Sequence, residues 1–179
     1  MHMVHLPLSE YFALEPVGAN NPEAALAGEL DQLATRYRRV SPRFPMFNRG
    51  ITTTRPSESD GNIWLDFSPE VVNESLYRLQ SLVADLLDRS EHISAPRSQY
   101  GPDFPPQIPL LSHANLPDSV FDSALEFARA VTDELKVSQI TRAWRIALTR
   151  FESDAAGDDW SGGRWAADLG WKALGSFGL

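Results

Sequence analysis

The chain has 179 residues, the length of one domain with room for a substantial core, and its 16 Lys and Arg against 24 Asp and Glu give a net charge of −8. The acidic surplus disfavours long nucleic acid as a partner, and the absence of cysteine excludes disulfides, thiolate metal sites and a cysteine nucleophile. Hydrophobic residues make up 42%, enough for a packed globular core, yet no run reaches the roughly 18 apolar residues of a membrane span, so a soluble cytoplasmic protein is expected.

A short strand is expected at Val4 to Leu8. Asn21-Pro22-Glu23 then supplies a cap, a proline at the first helical position and an acidic first turn, followed by Leu26, Leu30, Leu33 and Tyr37 at helical spacing. These predict a helix over about 22 to 38. Phe44 to Thr54 and Asn62 to Phe67 read as strands. Ser68-Pro69-Glu70 repeats the helix start signal, and Val72, Leu76, Leu79, Val83 and Leu86 mark the apolar face of a second helix over about 69 to 88. Ser90 to Gln107 contains five prolines or glycines and no periodicity, which predicts a long loop able to cover a ligand. A strand at Ile108 to Leu116 follows. A third helix from Asp118 to about Lys136 should bury Phe121, Leu125, Ala128, Val131 and Leu135. Alternation through Trp144, Ile146 and Leu148 predicts a long strand over 140 to 151, and Arg164 to Leu169 reads as the last one.

The two halves resemble each other. Thr54-Arg55-Pro56-Ser57-Glu58-Ser59-Asp60 before Trp64 parallels Thr149-Arg150-Phe151-Glu152-Ser153-Asp154 before Trp165, and each copy sits in the order strand, helix, strand, strand. The organisation expected is one domain, 1–179, with a first lobe over about 4–67, a connecting helix and loop over 69–107, and a second lobe over about 108–171.

Several side chains carry chemistry. Arg43, Arg49, Arg55, Arg145 and Arg150 lie on the two long strands, where those facing a cleft would grip a phosphate or carboxylate in bidentate fashion. Tyr100 and Phe104 in the long loop are placed to cap a ligand, whereas Trp144, Trp160, Trp165 and Trp171 are expected to fill a core. His2 and His5 lack an accompanying carboxylate motif, and the aspartates at 154, 158 and 159 lack the spacing of a calcium loop, so no metal site is expected. Nor does any nucleotide-cofactor glycine motif, phosphate loop or Gly-x-Ser-x-Gly occur, and no cofactor is expected.

The segments His5-Leu6-Pro7-Leu8, Arg43 to Phe47 through Gly61 to Leu65, Pro109-Leu110-Leu111-Ser112 through Pro117, and Ala147 to Phe151 resemble the two-histidine phosphoesterase superfamily, which includes the 2'-5' RNA ligase-like proteins and cyclic nucleotide phosphodiesterases. That resemblance implies an α+β, bilobal, pseudo-symmetric fold, with two antiparallel-rich sheets lining a central cleft and helices outside. Each lobe of the family offers a His-x-Thr/Ser strand, whose alternation points both groups into the cleft to pass protons and hold phosphoryl oxygens. Here both copies are altered. By the resemblance His5 and Ser112 remain, while Pro7 stands for a hydroxyl residue and Leu110 for the second histidine.

Three functions follow as alternatives. In the first, the tetrad has decayed and the cleft binds a small molecule or nucleotide through arginines and Ser112, or His5 serves as a lone acid or base in another reaction. In the second, a one-residue bulge turns His113 and Asn115 into the cleft, and His5 with His113 cleaves a 2',3'-cyclic nucleotide or an RNA end. A non-enzymatic protein-interaction module is the third, favoured by a large apolar surface patch.

Overall fold

A computed structural model describes residues 5–18, 21–57, 60–94, 103–154 and 168–179. Among them it is α+β, with three α-helices and a set of small antiparallel sheets. Helix α1, Pro22–Val40, starts as its sequence dictates: Asn21 Oδ1 accepts from the N–H groups of Glu23 (3.0 Å) and Ala24 (3.3 Å), and proline needs no partner at the first position. Glu23 in the first turn and Arg38 and Arg39 in the last complement the helix dipole. Leu26, Leu30, Leu33, Ala34 and Tyr37 are buried on one face.

The two expected long strands each break in two, for the same reason. Strand β2, Pro45–Phe47, pairs with β7, Ile140–Arg142, so that Met46 faces Thr141. Gly50 at φ 92° then turns the first long strand away, stabilised by its N–H donating to Asn48 Oδ1 (3.1 Å), into β3, Ile51–Thr54. Only glycine adopts that backbone region without strain. Strand β3 forms a hairpin with β4, Gly61–Asp66, and β6, Gln107–Ala114, adds to the far side of β4. The second long strand likewise leaves β2 after β7 and enters β8, Arg145–Glu152, which pairs along its length with β9, Gly170–Gly178. Each strand changes partner where it bends, so neither is continuous. Strands β1, Ala13–Leu14, and β5, Ile93–Ser94, form one further short pair.

Helix α2 runs Glu74–Arg89, after a 3-10 turn at Glu70–Val72, rather than from Pro69. Asn73 explains the delay. It is 1% exposed, its Nδ2 donates to the carbonyls of Phe47 (2.9 Å) and Phe67, and its Oδ1 accepts from Phe47 N–H (2.8 Å). A side chain that satisfies three backbone groups between β2 and β4 holds its own backbone out of the helix. Helix α3, Asp118–Glu134, buries Phe121 alone, whose ring fills the space where a Cβ on Gly61 would lie. Leu125, Ala128 and Val131 are half-buried and Leu135 is 70% exposed, so its apolar face is covered less than expected.

Three more expectations are corrected. Residues 5–8 form no strand. The final strand is β9, beginning after Leu169, where Gly170, Gly175 and Gly178 obscure strand periodicity; residues 164–167 lie outside the described residues. Trp144 and Trp171 are exposed rather than core, while Trp160 and Trp165 lie outside the described residues. The core joins α1, α2, β8 and the C-terminal Phe177 and Leu179. No helix among the described residues is long and apolar enough to cross a membrane.

Candidate functional site

On β6 the ladder to β4 slips. Gly61 pairs with Ala114 and Ile63 with Leu111, so the single residue Asn62 faces both Ser112 and His113. This is a one-residue bulge, and His113 takes the strained turn in it at φ 50°. Asn62 repairs the interrupted ladder, its Oδ1 accepting from His113 N–H at 2.9 Å. The same amide's Nδ2 donates to Asp60 Oδ1 (3.1 Å) and to the Asp60 carbonyl (3.3 Å). Asp60 Oδ1 in turn lies 2.9 Å from His113 Nδ1.

The result is a histidine whose ring is aimed by its neighbours although its side chain is 84% exposed. With Nδ1–H donating to the Asp60 carboxylate, Nε2 is left as the lone-pair nitrogen, able to take a proton or, once charged, to return one. Ser112 beside it is exposed as well.

A pocket of about 350 Å³ adjoins this edge, lined by Arg55, Asn115, Leu116, Pro117 and Asp118. Arg55 is largely committed to structure: it pairs with Asp118, donates to the Leu116 carbonyl at 2.6 Å and lies 5.1 Å from the Phe121 ring centroid. Its charge is therefore partly answered before any ligand arrives.

The structure thus brings Ser112, His113 and Asn115 to one strand end. The other expected contributors lie elsewhere. His5 is exposed in a segment without strand structure. Arg43 sits in a left-handed turn after α1 with its carbonyl accepting from Arg142 Nη1 (3.3 Å). Arg49 is exposed in the turn between β2 and β3, and Arg145 stacks on Trp144 with 4.2 Å from guanidinium carbon to ring centroid. Phe104 cannot cap an open ligand, because it is 5% exposed and packs edge-to-face on Tyr77 at 5.5 Å between centroids. Tyr100 lies outside the described residues.

Asp60 and Asn62 are the residues sequence reasoning left out of the site. Their signal was the acidic turn shared by the two halves, which marked Asp60 as a loop residue without linking it to His113. Among the described residues no group of three or more His, Asp or Glu side chains is placed to hold a metal ion. No family model, curated protein or solved structure matches the chain.

Proposed function

We propose that the chain is a two-histidine phosphoesterase-like scaffold whose catalytic tetrad has decayed, and that the edge around His113 binds a small anionic molecule, with His113 as its one acid or base. The observation that carries the site is the Asp60 contact on His113 Nδ1, held in place by Asn62. A carboxylate that fixes one imidazole nitrogen makes the other a defined donor or acceptor for a ligand.

Support for the bilobal, pseudo-symmetric scaffold comes from matched spacings. Thr54 and Thr149 are 95 positions apart, as are Met46 and Thr141, Arg55 and Arg150, and Glu23 and Asp118. Met46 and Thr141 face each other at the middle of the β2–β7 pair, as a two-fold relation between copies requires. The ion pairs cross in the same sense: Arg55 of the first copy reaches Asp118 of the second, and Arg150 of the second reaches Glu23 of the first at 2.6 Å. At that spacing Leu110 and Ser112 correspond to Glu15 and Val17. His5 is then out of register with β6, and neither copy keeps the family's histidine.

One imidazole cannot serve as base and acid in the same step, so phosphodiester cleavage would lack a group that supplies about 100-fold to 10,000-fold. The test is two-part, on the full chain. Nucleoside monophosphates and 2',3'-cyclic nucleotides should shift the backbone amide resonances of β4 and β6 in a saturable titration that His113→Ala and Asp60→Asn weaken, with no turnover of the cyclic substrates. Turnover abolished by both His5→Ala and His113→Ala would replace this reading with the phosphodiesterase one. Absence of any shift would remove the anion site altogether. The protein-interaction reading draws on Phe127 and Leu135, each 70% exposed on or beside α3.

A further inference from the structure

A second cavity lies far along the chain from His113, between α1 and α2. It is a groove of about 450 Å³, within the range of small-molecule sites. Tyr37 donates to the Ser75 carbonyl at 2.6 Å and Ser41 Oγ meets Ser75 Oγ at 3.2 Å, which places the end of α1 beside the start of α2. Leu33, Leu82 and Leu86 supply apolar lining, with Leu82 38% exposed.

Charge sets this groove apart. Its lining holds Arg36, Arg78 and Arg89 against Glu29 alone, in a chain of net charge −8. Arg89 has a structural reason to be there, since it occupies the last turn of α2 and its Nε donates to the Asp85 carbonyl at 2.8 Å. Arg36 and Arg78 have less. Arg36 Nε donates to the Gln32 carbonyl at 3.3 Å, and neither guanidinium forms an ion pair among the described residues. Arg78 lies one turn along α2 from Ser75, whose carbonyl accepts from Tyr37, so Arg78 sits at the α1 C-terminal end of the groove. The combination is an apolar floor with two guanidiniums at its rim, Arg36 and Arg78, that form no ion pair among the described residues.

We propose that this groove binds a small amphipathic anion, its apolar body on Leu33, Leu82 and Leu86 and its carboxylate, phosphate or sulfonate held by Arg36 and Arg78. Guanidiniums suit such groups because their donors match two oxygens at once. The first probe is 8-anilinonaphthalene-1-sulfonate, with N-phenyl-1-naphthylamine as the same aromatic body without the charge. Folded full-length protein should show one saturable sulfonate site, weakened about tenfold or more in Arg36→Ala/Arg78→Ala. Leu82→Trp, which fills the groove and leaves both arginines, should abolish it.

Displacement by decanoate or by octyl phosphate then distinguishes a carboxylate from a phosphate ligand. Binding of the uncharged amine as tight as that of the sulfonate, or full binding by the double arginine variant, would overturn the proposal. So would the absence of a saturable site. All these changes leave the His113 edge intact, so the outcome is independent of the function proposed for it.

Discussion

Helices α1 and α3 make an instructive pair. They have similar lengths, each begins on or next to a proline, each carries an acid in its first turn, and each of those acids meets an arginine distant in sequence, Arg150 in β8 for Glu23 and Arg55 just after β3 for Asp118. Yet α1 buries five side chains and α3 only Phe121. The difference lies in what covers them. Helix α1 rests on the β8–β9 hairpin and on α2, which bury Leu26, Leu30, Leu33, Ala34 and Tyr37. Helix α3 is anchored near its start, through Phe121 against Gly61 and Asp118 on Arg55, and its far end leaves Leu135 exposed. An amphipathic pattern states that a helix has an apolar face; it does not state how much of that face the fold will cover.

The contrast is broken most directly by truncating a buried leucine of α1 and the exposed leucine that ends α3. Leu30→Ala in α1 should cost about 2–5 kcal/mol, the usual sum of lost transfer energy and residual cavity for a buried leucine. Leu135→Ala should stay within about 0.5 kcal/mol, as exposed positions do. Urea unfolding of both variants measures the difference, and a loss at Leu135 comparable with that at Leu30 would mean that the end of α3 is covered in solution.

Arg55→Ala comes next. It removes the hydrogen bond to the Leu116 carbonyl, the ion pair to Asp118 and the contact over Phe121 at one stroke. The ion pair contributes little because Asp118 is 79% exposed, so the expected cost is about 1–2 kcal/mol, mostly from the carbonyl left without its charged donor. Amide exchange should quicken over α3 and leave α1 unchanged. Equal quickening in both helices would show that the two acid-arginine contacts act as a unit.

These local anchors also explain how far the sequence could be read. All three helices were legible because capping and 3.6-residue periodicity are local signals, and α1 matches its expected start because Asn21-Pro22-Glu23 encodes the cap within three residues. The α2 start was misplaced because Asn73 answers to Phe47 and Phe67, partners no local pattern reveals. The strand breaks at Asn48-Arg49-Gly50 and Ala143-Trp144 arise from a change of partner, which is a tertiary event. At the site, the bulge that presents His113 was available as a possibility from the adjacent Ser112 and His113, but the carboxylate behind it was not. Asp60 reaches His113 across 53 positions, and only the β4–β6 register brings them together.

The smallest effect concerns the hairpin that carries α1. Beyond β8, Ser153 Oγ donates to Asp168 Oδ1 at 2.6 Å and Asp154 N–H donates to Asp168 Oδ2 at 2.8 Å, just before β9 begins. Both bonds favour the ionised carboxylate, with Ser153 the larger cause, and hold Asp168 below the usual carboxylate range. A depressed carboxyl contributes to folding above its unfolded value and loses that contribution as pH falls through its folded value. Asp168 is solvated, so the effect on global stability is screened and the sensitive readout is its own titration. In a carbon-detected NMR titration Ser153→Ala should move Asp168 back up towards its ordinary range while leaving α1 amides unperturbed. An unmoved Asp168 would mean that backbone N–H groups, Asp154 first among them, set its protonation, and that the serine merely accompanies a turn the backbone already closes.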